Sequence, residues 1–159
     1  MSAKDSLKQY LSDNGVMFEE QHHSLAYTAQ DVANVEHVPG KFVAKVTMAK
    51  ANGDLIMLVL PAPTRVDFDK VKSVIGREVH LATESEFASA FPDCEVGAIP
   101  PFGHLYGVRV YVDRALTDDE YIIFNEGTHT DTLKIRYTDY ERLEHPVVAD
   151  FAAGRQGRA

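Results

Sequence analysis

Phe42-Val-Ala-Lys-Val-Thr-Met48 and Leu55-Ile-Met-Leu-Val-Leu60, joined through Asn52-Gly53, decide how this chain is built. In the first stretch Phe42, Ala44, Val46 and Met48 fall on one face and Val43, Lys45 and Thr47 on the other, the period-two pattern of a strand. Asn-Gly is the strongest short-range signal for a tight hairpin turn, so the two stretches pair antiparallel. The second stretch has no polar face, which marks a central strand buried on both sides. Lys45 therefore projects from the face opposite the main apolar stripe.

Working outward, Ser2 can cap a helix whose Leu7, Tyr10 and Leu11 recur at helical spacing, with Asn14-Gly15 as its stop. Residues 17–24 read as a strand, and Thr28-Ala-Gln-Asp31 opens a short helix ending before Pro39-Gly40. Beyond the hairpin come a helix over 67–75 stopped by Gly76, a strand over 79–82, and a capping box at Thr83-Glu-Ser-Glu86 that opens a helix through Phe91. Strands follow over 108–113, 121–125 and 132–137. Thr138-Asp-Tyr-Glu141 caps a last helix, and residues 155–159 read as a frayed tail. About seven strands and four or five short helices predict one α+β domain over residues 1–159, with its core in about 20–150. The expected architecture is a curved, barrel-like mixed β-sheet surrounded by short helices.

Composition agrees with a single globular unit: 159 residues, 45% apolar and 25% charged, with 16 Lys+Arg against 24 Asp+Glu for a net charge of −8. That acidity argues against duplex DNA as a partner, because a phosphate backbone rewards a basic surface. Cys94 has no second cysteine to pair with, no apolar run reaches the roughly 18 residues of a membrane span, and the N-terminus lacks a signal-peptide core. A cytoplasmic protein with no membrane partner is the expectation.

Whole reaction classes are missing from the motifs. There is no phosphate loop ending in Gly-Lys-Ser/Thr, no Gly-x-Gly-x-x-Gly, no Gly-x-Ser-x-Gly and no His-Glu-x-x-His. Cys94 lies between Asp93 and Glu95, whose charges disfavour a thiolate nucleophile. The seven histidines show no paired ligand spacing, so neither a metal nor a cofactor is expected.

Three features remain. Lys45 is either a solvated lysine or a fixed ammonium that binds a phosphate or carboxyl oxygen. Gly97-Ala-Ile-Pro100-Pro101-Phe102-Gly103 is either an ordinary connection or a stiff loop whose remaining N–H groups, at Gly97 and Ala98, face a ligand without reorganising. In Gly127-Thr-His-Thr-Asp131, an extended end would put His129 and Asp131 on one face, the carboxylate orienting the imidazole, with Thr128 and Thr130 turned away. A turn held by its own Thr and Asp side chains explains the same residues.

Taken in order, Tyr27-Thr-Ala-Gln-Asp-Val-Ala33, Val43-Ala-Lys-Val46, Leu58-Val-Leu-Pro61, Glu95-Val-Gly-Ala-Ile-Pro-Pro-Phe-Gly103, Val110-Tyr-Val-Asp113 and the Gly127 loop resemble the YbaK/ProX family. Its members are single-domain aminoacyl-tRNA deacylases related to the editing insertion of bacterial prolyl-tRNA synthetase. The resemblance implies hydrolysis of the ester joining a wrong amino acid to tRNA, with Ala-tRNA(Pro) or Cys-tRNA(Pro) as the type of substrate. It implies that Lys45 engages the aminoacylated 3′ end, that Gly97 to Pro101 position the carbonyl, and that His129 lines the pocket with Gly127 and Asp131. By the same resemblance Ile99 binds substrate as part of that bend, and Thr47 and Phe102 are weaker candidates for pocket walls. No side-chain nucleophile is needed, because the ester is already activated and a ribose hydroxyl of the substrate assists. The implied partners are the aminoacyl-tRNA 3′ end and an aminoacyl-tRNA synthetase. The competing readings are a non-catalytic binding module on the same fold and a hydrolase of another small activated acyl ester.

Overall fold

A computed structural model of the chain describes residues 3–153; the expected Ser2 cap and the 155–159 tail lie outside them. The hairpin forms as expected. Strands β2 (Ala44–Ala51) and β3 (Asp54–Pro61) pair antiparallel, with Lys45 opposite Leu60 and Thr47 opposite Leu58. Asn52 and Gly53 both take positive φ, 51° and 96°, as a primed two-residue turn requires. Strand β3 is buried on both faces. Met57 and Val59 join the main core with Ala44 and Met48, whereas Ile56, Leu58 and Leu60 join a second core with Ala49, Ala51, Val71 and Phe151.

Strand β2 begins at Ala44 rather than Phe42. Gly40–Phe42 is a single 3₁₀ turn behind Pro39, and it swings Phe42 out of the strand to stack on Tyr121 at 4.6 Å and 17°. The hairpin sits in a five-stranded mixed sheet of order β5-β2-β3-β6-β9, in which β5 is Val79–Leu81, β6 Arg109–Asp113 and β9 Val147–Ala149. A second, antiparallel sheet has the order β1-β8-β7, from Glu19–His22, Asp131–Arg136 and Tyr121–Asn125, and a pair joins β10 (Ala152–Ala153) to β4 (Arg65–Val66). The expected barrel-like sheet is thus divided into three among the described residues; a parallel bridge between Val43 and Ile123 links the two larger ones. The strands not foreseen, β4, β9 and β10, have two or three residues each, too few to show a period.

The helices follow their sequence signals closely. Helix α1 (Ala3–Asp13) drops Leu7 and Leu11 into the main core. Thr28 caps α2 (Ala29–Glu36) by accepting from the Asp31 N–H at 3.0 Å. Asp67 caps α3 (Phe68–Ile75), and the Thr83/Glu86 capping box opens α4 (Glu84–Phe87), which continues as a 3₁₀ turn over Ala88–Ala90. The last helix, α5 (Tyr137–Glu144), starts before the expected Thr138 cap. The Tyr137 N–H donates to the Glu120 carbonyl at 3.0 Å, so a tertiary backbone bond replaces a side-chain cap. Among the described residues no helix is long and apolar enough to cross a membrane.

Candidate functional site

Lys45 lies near the start of β2, facing the side of the sheet that carries the second core. Its side chain is half-buried and lines a hollow of about 480 Å³ with Gln30, Ala62, Pro63, Thr64, Arg65 and Ala153. Among the described residues no carboxylate or carbonyl bonds to it, and burial alone pulls the ammonium below the ordinary lysine range. A partly desolvated cation without a counterion gains most from an anion that enters from outside. Thr47, two residues along the same face, is half-buried and does not line this hollow.

The Gly97 bend does not line it either. It knots instead to the Gly127 loop: the Glu95 N–H donates to the Gly127 carbonyl at 2.8 Å, and the Gly127 N–H to the Ala98 carbonyl at 2.9 Å. The Glu95 carboxylate accepts from the His129 N–H at 2.8 Å, and His129 Nε2 bonds the Val96 carbonyl at 2.8 Å. Gly97 has φ +88°, and a Cβ there would stand 3.2 Å from His129 Cε1. A glycine is needed on both counts.

Several expected roles change at this knot. The Ala98 N–H is already donated to the Glu95 carbonyl at 3.0 Å and the residue is fully buried, so it has no donor to offer a ligand. Gly97, exposed, has no intramolecular bond to its N–H among the described residues. Ile99, Pro100, Pro101 and Phe102 are buried. Phe102 is a core residue, not a pocket wall: its ring meets Phe124 and Tyr140 edge-on at 5.5 and 5.2 Å, and the Tyr140 hydroxyl donates to the Pro101 carbonyl at 2.8 Å. The proline half of the bend is thus an anchor.

The Gly127 loop is a turn, and Asp131 does not orient His129. Thr128 and Thr130, expected to face away, donate their hydroxyls to Asp131 at 2.5 and 3.1 Å, and His22 Nδ1 and Lys4 reach the same carboxylate. Burial pushes the Asp131 carboxyl up, but these donors outweigh it and hold the group well below the usual range. Nearby Glu126 is buried, and desolvation together with the Glu20 carboxylate pushes it up to about 9. Glu20, His22 and Asp131 bring one potential ligand atom each within 4.8 Å of one another, a mixed set of the kind borderline divalent ions accept. Lys8 and Lys4 already occupy the two carboxylates, at 3.0 and 3.4 Å. Cys94 keeps its thiol: burial raises it above the ordinary range, and its sulfur lies 3.6 Å from the Tyr106 hydroxyl.

Residues 26–30 tie the hollow to the knot. The Ala26 N–H donates to the His129 carbonyl at 3.2 Å, the Tyr27 ring rests on the imidazole at 4.9 Å, and Gln30 lines the Lys45 hollow. Gln30 lies three positions after Tyr27, a span of at most about 11 Å. The sequence reading missed Gln30, Arg65 and Tyr27. Tyr27 and Gln30 lay in the Tyr27–Ala33 piece of the family resemblance without a role assigned to them, and the hint for Arg65 was a cation placed just beyond the proline-bounded end of a strand.

Residues 23–143 match the aminoacyl-tRNA editing domain family. The chain is 26% identical over 148 residues to the multifunctional Ser/Thr-tRNA deacylase ProXp-y of Escherichia coli strain K12, covering 89% of this chain and 87% of the relative. Among solved structures, a hypothetical protein superposes with a TM-score of 0.84 at 20% identity, over 92% of this chain and 99% of its own. A candidate trans-editing enzyme for prolyl-tRNA synthetase superposes with 0.81 at 19% identity, over 96% and 98%. The structural likenesses establish a shared fold, while the family match takes in Lys45, the Gly97 bend and the Gly127 loop. The chain belongs to the aminoacyl-tRNA editing domain family and is an aminoacyl-tRNA deacylase, a hydrolase of the ester between amino acid and tRNA.

Proposed function

We propose that the chain edits in trans, in the cytoplasm, and removes a small amino acid from mischarged tRNA. Alanine or cysteine on proline tRNA is the pairing the sequence resemblance implies; the name of the E. coli relative adds serine and threonine. The observation that carries this reading is the half-buried Lys45 ammonium, unpaired among the described residues, facing a hollow that Arg65 also lines. A phosphate next to the esterified nucleotide is the anion that matches it.

In this reading Lys45 and Arg65 hold the 3′ end, and the free Gly97 N–H polarises the ester carbonyl as a preorganised donor. Ala98, Ile99, Pro100, Pro101 and Phe102 keep that donor aimed through their ties to the core. His129, pinned to Val96, lines the amino-acid side, with Gly127 and Asp131 shaping the loop and Thr47 flanking Lys45. A water adds to the carbonyl carbon, the bond from that carbon to the ribose oxygen breaks, and the ribose oxygen leaves with the water's proton. A neighbouring ribose hydroxyl relays that proton, so no metal is required. A net charge of −8 suits a protein that receives tRNA from an aminoacyl-tRNA synthetase rather than gripping its duplex.

The test is deacylation of a panel of mischarged tRNAs carrying alanine, cysteine, serine or threonine. Hydrolysis of at least one well above the spontaneous rate is expected. Hydrolysis of none would leave a ligand-binding module.

A further inference from the structure

Tyr27 lies between the two halves of the site, and neither the core nor a hydrogen bond accounts for its position. It is 63% exposed, directly precedes the cap of α2, and its ring meets the His129 imidazole at a tilt of 55°, which leaves the side chain largely open to a ligand. Two further exposed apolar side chains come from segments that meet the same histidine. Leu25, 61% exposed, precedes the Ala26 whose N–H bonds the His129 carbonyl; Val96, 44% exposed, gives its carbonyl to His129 Nε2. Three of the seven large exposed apolar side chains among the described residues thus come from segments that meet His129, one by its ring and two through backbone bonds at or beside them. The backbone under the ring passes close to Gly97: the Tyr27 carbonyl would stand 3.9 Å from a Cβ there.

We propose that Tyr27 is a base-stacking platform, whose open face takes the terminal adenine of the aminoacyl-tRNA 3′ end. The assignment rests on the site proposed above, with the ester at Gly97 and His129 and a phosphate at Lys45 and Arg65. Deacylation presents an unpaired nucleotide to the protein, and an unpaired base is held by stacking on an aromatic face. The span of at most about 11 Å from Tyr27 to Gln30 is one that the last nucleotides of a single strand can bridge. Such a platform grips the end that all tRNAs share, which leaves the choice of amino acid to the pocket and suits a protein of net charge −8.

The chain has no tryptophan, so Tyr27→Trp places a single tryptophan at the platform, whose emission is excited selectively over that of the six remaining tyrosines. Its emission should fall on titration with uncharged tRNA carrying the intact 3′ end, and should not respond to tRNA trimmed of its terminal adenosine. In steady-state deacylation, Tyr27→Ala should raise KM about tenfold with a smaller effect on kcat, while Tyr27→Phe stays within about twofold of wild type. Melting temperatures of the three variants separate this role from a structural one, which would lower the melting temperature of Tyr27→Ala and give no adenosine-dependent emission change. Emission unchanged at saturating tRNA, an equal response to trimmed tRNA, or an unchanged KM in Tyr27→Ala would overturn the proposal. Were wild type to hydrolyse no mischarged tRNA while the emission still responded, the catalytic assignment would fail and the platform would stand. Were it to hydrolyse with no emission response, the platform alone would fail.

Discussion

The hollow around Lys45 and the knot around His129 are joined by residues 26–30, yet they treat their polar groups in opposite ways. In the knot most polar groups are paired: the Glu95 carboxylate takes the His129 N–H, Thr128 and Thr130 donate to Asp131, and the Gly127 N–H bonds the Ala98 carbonyl, leaving His129 Nδ1 as a buried ring nitrogen without a partner among the described residues. In the hollow, a half-buried ammonium has no counterion among the described residues. The first arrangement stabilises a shape; the second leaves a binding free energy unrealised until an anion arrives. Function and stability should therefore separate by region when residues are changed.

The largest expected effect is on the hollow. Lys45→Ala should lower deacylation by about 100-fold, the scale of losing one partner of a desolvated charge pair, with little change in melting temperature. A large loss of stability with activity retained per folded molecule would assign Lys45 to the core instead.

The knot should respond in the reverse order. Asp131→Asn weakens hydrogen bonds to a charged group and should cost on the order of 2 kcal/mol at neutral pH, read by denaturant unfolding. The sign of its pH dependence follows from a folded-state carboxyl held below its unfolded value. Its contribution is present above the unfolded pKa of about 4 and is lost as pH falls toward the folded one, so wild type and variant should converge in acid. A gap that stays constant down to strongly acidic pH would show that the Thr128, Thr130 and His22 contacts do not set the Asp131 charge.

Gly97→Ala should cost less stability than Asp131→Asn and more than Lys45→Ala, about 1–2 kcal/mol for a Cβ in the left-handed region. The 3.2 Å approach to His129 must also be relieved, so activity should fall by more than stability alone accounts for. An active, unchanged enzyme would remove Gly97 from the carbonyl-binding role.

What could be read from the sequence was local. Asn52-Gly53, the alternation through Lys45, the caps at Thr28 and Thr83 and the Gly76 stop act over a few residues, and each appears where its letters place it. Phe42 was misplaced because a 3₁₀ turn behind Pro39 breaks the alternation just before β2. The Ala98 N–H and the Thr128 and Thr130 hydroxyls were misread for a different reason: the bond that organises the knot joins Glu95 to His129, 34 residues apart, and no periodicity encodes such a contact. Arg65 and Gln30 reach the hollow from a two-residue strand and a helix start, elements too short to announce a face.

Single-turnover deacylation of the small-amino-acid tRNAs by wild type and Lys45→Ala at matched folded concentration tests the central claim most directly. The account predicts that wild type cleaves at least one of them far above the spontaneous rate, and that the variant, equally stable, loses nearly all of that acceleration. Equal cleavage by the two proteins would contradict it.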